Sequence, residues 1–416
     1  MRVIQGIIIR NFFLFLFIFN EVFGSADPSI SFVHVGQGNC IIIDCANGEK
    51  LLVDCGQSKL PHIGDERSKT TNVKLAAAIK KQYLIGGEKP AILITHPDKD
   101  HLNLLSGIFE DNSSFGQIPL ILGGPLEDYF KTGTNWKLIQ HFSGIGSPIV
   151  SLSHTLSDYD MRELIGIMHS TITPIHSDLK KYKDETERLV AESHAASAAI
   201  RVSRKQGLNS IKKRWENAVD DEFKKFRRNL QGHILGSKLG VAVPLLGGFC
   251  NKFDIEILSA NAGQGSFLTK QRSQAHAVIN KDDNTNSVVL KVTHKKGRQS
   301  AILTGDARGV TTDQIILYND GPGVPLRTDV MLACHHGADS HESNNKEWIE
   351  VTNPKSTILS CGHRADYLHP MCNVVEAYVS KAAIHGTEVT SHKITCGESS
   401  VFTGVFKELC QIRKKV

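Results

Sequence analysis

Four of the six residues from His96 to His101 can bind a metal ion: His96, Asp98, Asp100 and His101, in the string THPDKDH that follows the apolar run AILI. A lone His-Pro-Asp is accounted for by a capped turn. Clustered carboxylates and imidazoles are unfavourable so close together unless a cation lies among them, so this spacing reads as a metal site. The same design recurs along the chain. Asp306 closes ILTGD, His335 and His336 close VMLACHHG, and His363 and His369 lie in STILSCGHRADYLHP. Four apolar runs therefore end in candidate ligands. Two cations held this way lower the pKa of a bound water toward neutrality and polarise the bond it attacks, which suits phosphodiesters, lactones, thioesters and β-lactams alike.

Such ligands need rigid elements behind them. From Ile30 the apolar runs Cys40 to Cys45 and Lys50 to Cys55 are joined by Ala46-Asn47-Gly48, the strongest short hairpin signal. Asp54 ends the second run, where it either caps the strand or orients a ligand histidine from behind. Thr71 to Tyr83 has a helical pattern that Gly86-Gly87 breaks before the strand carrying the ligand loop. Strand, helix, strand with ligands at the C-terminal end of the strand is the usual site geometry of layered α/β proteins. Leu102 to Phe109 reads as the start of a helix with His101 near its N-terminus, and residues 118–123 as another strand. After Lys252 strands return as FDIEIL, SVVLKVTH and QSAILTGD, with a connection from Ala260 to Asn286 long enough that it is expected either to cover the site or to be mobile.

The stretch 157–235 differs, being polar and helical. Ile211, Trp215, Val219, Phe223, Phe226 and Leu230 recur at helical spacing, so one face is buried. The other face is basic: residues 201–230 hold ten Lys or Arg against four Asp or Glu, a net +6 where the whole chain has +5. Lys212, Lys213, Lys224, Lys225, Arg227 and Arg228 form either a solvated face or a surface for a phosphate backbone, where counterion release supplies affinity.

At 416 residues with 40% hydrophobic and 22% charged residues, the chain is globular and needs no staples to bury a core, which excludes a disordered protein. Met1 to Gly24 carries Arg2 and Arg10, then the apolar run Phe12 to Phe19, then Val22-Phe23-Gly24. That run falls short of the roughly 20 residues of a membrane span and matches a cleaved secretory signal, with an uncleaved anchor as the lesser option, so a secreted or periplasmic protein with no remaining span is expected. Nine cysteines, none in CxxC spacing, suit disulfides in an oxidising space and leave at least one thiol over. Cys334 beside His335 reads as a buried strand cysteine rather than a ligand.

Taken together, FVHVGQGNCIIID with LLVDCG, THPDKDH, NSVVLKV with ILTGD, ACHHG and Tyr367-x-His369-Pro370 resemble the metallo-β-lactamase fold. Within it they resemble the hydrolase domain of the DNA-importing competence proteins of the ComEC/Rec2 type. The resemblance runs from residue 31 to about 380, apart from the 157–235 insertion. It implies a four-layer αβ/βα sandwich over residues 25–416 with two divalent metal ions, Zn or Mn, at the edge between two sheets. By position, His96 and Asp98 would hold the first metal, Asp100 and His101 the second, Asp306 would bridge them, and His335 and His369 would complete the set. Asp98 stands where many relatives have histidine, and a carboxylate there makes the site more acceptable to Mn²⁺. The closing motif departs from the group's NxYGHPH at Leu368 and Met371. A further ligand histidine expected before Asp306 would be His154, with His141, His169 and His176 competing. The membrane channel of the competence proteins is absent.

The expected protein is a secreted metal-dependent hydrolase, foremost a phosphodiesterase acting on DNA or RNA. Asp100 would orient the attacking water and His336 or His363 would protonate the leaving group. A hydrolase of a small ester, lactone, thioester or β-lactam and a non-catalytic binding protein are the rivals, since a fold does not choose among them.

Overall fold

The computed structural model describes residues 27–58, 65–84, 88–110, 115–152, 158–192, 197–229, 241–242, 248–260, 262, 283–297, 299–319, 325–361, 369–380, 383–386 and 392–395. The signal reading at residues 1–24, together with His154, His363, Cys396 and Cys410, lies outside them.

The hairpin forms as Asn47-Gly48 requires: β2 (Cys40–Asp44) pairs antiparallel with β3 (Glu49–Cys55), and β1 (Ser29–Phe32) pairs with β2. Three strands then add in parallel, β4 (Lys89–Ile94), β5 (Leu120–Leu122) and β6 (Ile149–Ser151). The second sheet begins with β7 (Val241–Ala242), β8 (Phe253–Ser259) and β9 (Val289–His294), all antiparallel. It continues through β10 (Ser300–Leu303), antiparallel to β9, into the parallel β11 (Val330–Leu332), β12 (Ser356–Leu359) and β13 (Ala383–Gly386). β14 (His392–Thr395) returns to the first sheet beside β1, so each sheet has seven strands.

Strand periodicity divides the side chains. Ile41, Ile43, Leu51, Val53 and Leu93 of the first sheet share one core with Leu290, Val292, Leu303, Leu332 and Ile358 of the second, so the sheets face each other. The alternate residues Ile42, Leu52, Ile92, Ile94 and Leu120 face outward under helices. These are α1 (Asp65–Tyr83), α2 (Lys99–Leu102), α3 (Leu105–Ile108), α4 (Asp128–Lys131), α5 (Gly133–Gly144), α6 (Asp158–Glu192) and α7 (Ser197–Asn229). On the far side, Val289, Ile302 and Met331 lie in one core with Ile315, Trp348 and Tyr378 of α8 (Gly309–Asn319), α9 (Lys346–Thr352) and α10 (Cys372–Val379). Helices, sheet, sheet and helices follow one another. Cys45–Cys250 joins the end of β2 to the chain entering β8, one sheet to the other, and Cys40–Cys55 joins β2 to β3.

Two readings are corrected in detail. The helix expected from Thr71 starts at Asp65. Leu102–Phe109 is not one helix, because Leu104 N–H turns aside to Cys55 O (3.1 Å) and Asn103 uses its side chain on Gln57. The polar stretch 157–235 holds two long helices, α6 against α7. Its apolar stripe is as expected. Trp215, Val219 and Phe223 are buried, with Ile211 and Phe226 packed beside them, while Leu230 lies outside the described residues.

Candidate metal centre

The ligand loop leaves β4 at the edge where the two sheets meet, and His96 and His101 are fully buried. Two glycines permit this. Gly38 and Gly56 lie so close to the backbone at Asp100 to Leu102, and to each other, that a Cβ on either would collide with main chain. Across the sheets, Val288 N–H donates to Thr95 O (3.0 Å) and Ser360 Oγ to Gly38 O (2.6 Å). On the α5 side, the N-cap Thr132 accepts from Asn135 N–H, and Asn135 Nδ2 donates to Pro97 O (2.8 Å), holding the loop between His96 and Asp98. From the second sheet, β10 delivers Asp306 and β11 delivers His335 and His336. Both histidines have left-handed backbones, at φ 48° and 56°, a conformation non-glycine residues rarely adopt. Asn344 holds that loop by bonding Cys334 N–H, Cys334 O and Ala338 O.

Hydrogen bonds behind the imidazoles fix which nitrogen carries the proton. His101 Nδ1 lies 2.7 Å from Asp54 Oδ2, and Asp54 also accepts from Thr95 N–H (2.7 Å) and Thr95 Oγ1 (2.8 Å). His336 Nδ1 lies 2.6 Å from the carbonyl oxygen of Ser360, so it must donate there. In both rings Nδ1 is the donor and Nε2 faces the cluster, so that Nε2 is the nitrogen that would ligate a metal once it gives up its proton. Of the two roles open to Asp54, the orienting one is realised, at a strained φ of 57°.

The lone pairs converge. His101 Nε2 is 3.2 Å from Asp306 Oδ1 and His336 Nε2 is 3.4 Å from the same oxygen, while His96 Nε2 is 4.0 Å from Asp306 Oδ2. His96 Nε2, His101 Nε2, His336 Nε2 and Asp306 Oδ1 are buried, and none makes a hydrogen bond. His101 and His336 meet Asp306 only as poorly aligned ion pairs, and buried polar atoms left without well-formed hydrogen bonds are uncommon in native structures. A cation among them would satisfy them. His96, His101 and Asp306 form one group that could hold a metal ion, and Asp100, His101 and His336 a second.

The electrostatics point the same way. Burial alone would keep Asp306 protonated, but the imidazoles of His336, His101 and His335 hold its carboxyl well below the usual range. Burial opposes charge on His101, yet Asp306 and Asp54 push it well above an ordinary imidazole, and Asp306 raises His336 against its burial. Protons on the imidazoles thus balance carboxylates that a divalent cation would otherwise balance. Asp98 is partly exposed at the rim, with Oδ2 3.5 Å from His96 Nε2. Burial raises the Asp98 carboxyl, but the His96 imidazole outweighs it and holds the group below its ordinary value.

Of the residues the sequence singled out, His96, Asp98, Asp100, His101, Asp306, His335 and His336 meet here. His336, expected among the proton donors, has its Nε2 inside the cluster, 3.7 Å from Asp100 Oδ2. His335 Nε2 is 3.6 Å from Asp306 Oδ2 and 3.3 Å from Asn284 Nδ2, and burial holds its imidazole low. His369 is at the rim, its ring centroid 5.6 Å from that of His335. His169 and His176 lie on α6 with their rings against Trp136 and Trp215, in the helical layer. Burial pushes the Cys334 thiol up to about 12, in keeping with a packed cysteine. Lys212, Lys213, Lys224 and Lys225 are exposed on α7; Lys224 and Lys225 bond Asp221 (3.2 Å) and Glu222 (2.7 Å) one turn back. Arg227 and Arg228 belong to α7 by backbone. Sequence reasoning missed Thr95, Ser360 and Asn284. Thr95 directly precedes His96 and Ser360 ends an apolar strand as the known candidates do, so position alone could have marked them.

A fold of two packed sheets flanked by helices, with a buried His/Asp cluster that could bind metal at their common edge, defines the class of protein. No protein-family model matches the chain, and no curated protein is similar to it. Among solved structures, unliganded yeast PDE1 superposes with a TM-score of 0.40 and 10% identity, over 86% of this chain and 97% of that one.

Proposed function

We propose that this protein is a metal-dependent hydrolase of the metallo-β-lactamase fold, that it cleaves phosphodiesters, and that nucleic acid is its substrate. The observation that carries the metal reading is that the buried Nε2 atoms of His96, His101 and His336 gather around the Asp306 carboxylate in two overlapping groups, each able to hold an ion. His96, His101 and Asp306 would hold one divalent ion, Asp100, His101 or His336 would contribute to a second, and Asp98, His335 and His369 would close the rim. Zn or Mn fits a mixed imidazole and carboxylate set. Ions held there supply Lewis acidity and lower the pKa of a bound water.

The chain's own residues do the rest. Asp54 and the Ser360 carbonyl keep a proton at Nδ1 of His101 and His336, so the opposite nitrogens stay aimed inward. Asp306 lies between the histidines of both sheets and fixes their separation. Asp100, partly exposed beside His336, would be the group that orients the attacking water. His336 would serve among the ligands, and His363, outside the described residues, would be the group that protonates the leaving group.

The phosphodiester preference rests on the resemblance to the competence-type hydrolases and on the basic charge of α7. Cys40–Cys55 and Cys45–Cys250 support an exported, secreted or periplasmic protein. Among the described residues no helix is long and apolar enough to cross a membrane. The test is metal content by mass spectrometry together with hydrolysis of bis(4-nitrophenyl) phosphate and of single-stranded DNA and RNA. Turnover that is lost on chelation and restored by Mn²⁺ or Zn²⁺ is expected. Full activity after metal removal refutes a metal-dependent reaction. Turnover of lactones or small esters with no cleavage of any phosphodiester returns the substrate to the small-ester class.

A further inference from the structure

Away from the metal centre, the outer helical layer opens into a cleft of about 810 Å³ between α3, α5, α6 and α7. The cleft falls within the 300–1,000 Å³ range of small-molecule sites. Lys131, Lys137, Lys183 and Lys212 line it, with His141 and His176. Lys131 is held by Asp128 (2.9 Å) and Asp220 (3.1 Å). Lys137, Lys183 and Lys212 have no carboxylate partner among the described residues. Glu110 and Glu216 also border the cleft, so its lining sets four lysines against two glutamates.

We propose that this cleft binds a small phosphate-bearing anion. Several observations agree on that chemistry. Gly133 and Thr134, the first two residues of the twelve-residue helix α5, lie in the wall, and the first turn of a helix presents N–H groups and partial positive charge to an oxyanion. Lysine ammonium groups, which bind phosphate as point charges, stand in the same wall as that helix N-terminus. Positive charge also accumulates at one end. Burial, then Lys137, Lys183 and Lys180, holds the His176 imidazole below its ordinary value.

The cleft is tied to the metal loop. Asn135, two residues beyond Gly133, bonds Pro97 O, and Asn103 both lines the cleft and closes the helix that carries His101. A phosphate seated on α5 therefore lies directly behind the ligand loop, without being part of the metal centre.

Lysine acylation of the full-length protein, read by mass spectrometry, tests this with inorganic pyrophosphate as probe. At a concentration ten times that giving half protection, modification of Lys137, Lys183 and Lys212 should slow about tenfold by mass action. Lys213, one residue from Lys212 on the same basic helix, and the distant Lys346 should react unchanged. The double variant Lys137→Gln/Lys183→Gln should raise the half-protecting concentration at Lys212 by at least about tenfold, the scale of lost charge-assisted contacts. Protection of Lys213 equal to that of Lys212, or none at the cleft, overturns the proposal. Protection of Lys212 and Lys213 together by a short single-stranded oligonucleotide but not by pyrophosphate would also overturn it, in favour of a polymer track.

Discussion

Asp54→Asn changes one atom and should disable the metal centre through a proton. The carboxylate takes three hydrogen bonds: Oδ1 from Thr95 N–H at 2.7 Å, Oδ2 from Thr95 Oγ1 at 2.8 Å and from His101 Nδ1 at 2.7 Å. An amide can keep only half of this. If its oxygen stays on Thr95 N–H, its NH₂ faces His101 Nδ1, which must then accept, and the imidazole proton moves to Nε2, into the cluster beside Asp306. If the amide flips, the NH₂ meets the Thr95 N–H instead. Either way a buried donor loses its acceptor, at about 1–3 kcal/mol. In the first case the His101 lone pair is also withdrawn from the ion. Removing the partner behind a ligating histidine typically costs 10–100-fold in affinity, so the variant should bind Zn²⁺ or Mn²⁺ about 10–100 times more weakly. Competition against a chelating dye reads the affinity, and thermal denaturation confirms that the variant folds. A folded Asp54→Asn protein with affinity within about twofold of wild type would refute the assigned tautomer of His101 and its part in holding metal.

Other outcomes are expected. Asp100→Ala and His101→Ala should each lose at least one metal equivalent and nearly all turnover, with unchanged stoichiometry in both ruling out the ligand assignment. Because Asp306 and Asp54 hold His101 above its usual value, and Asp306 does the same for His336, a cation must displace protons. Metal affinity should therefore rise with pH through the neutral range with proton release, seen by calorimetry in buffers of different ionisation enthalpy; a pH-independent affinity counts against it. Cys45→Ser/Cys250→Ser opens a link with a sequence separation of 205 residues, for which the chain-entropy relation gives up to about 5 kcal/mol. Urea denaturation should show most of that loss, and a change below about 1 kcal/mol would mean that the sheet interface alone holds the halves together. Charge reversal at Lys212, Lys213, Lys224, Lys225, Arg227 and Arg228 should raise KM for DNA or RNA and flatten a salt slope of roughly 0.7–0.9 per contact, sparing a small phosphodiester. Equal kinetics and slopes would make α7 a solvated face.

The sequence by itself determined what depends on local pattern. Asn47-Gly48 between apolar runs dictated the β2–β3 hairpin, short continuous apolar runs marked the strands, and the stripe from Ile211 to Phe226 marked the buried face of α7, because such signals are carried by residues within a few positions of each other. THPDKDH announced its own chemistry for the same reason, and Asp306, His335 and His336 were legible as polar residues at the ends of apolar strands. Tertiary structure decided which of these residues meet and in what protonation state. His101 Nδ1 and Asp54 are 47 positions apart and Ser360 Oγ bonds Gly38 O across 322, distances over which no spacing rule operates. Nothing local shows that Nδ1 of His336 is taken by the Ser360 carbonyl, which turns its Nε2 toward Asp306. The cleft behind the metal loop was equally invisible. Lys137, Lys183 and Lys212 are dispersed along the chain, and only the packing of α5, α6 and α7 on one sheet face brings their charges to one opening.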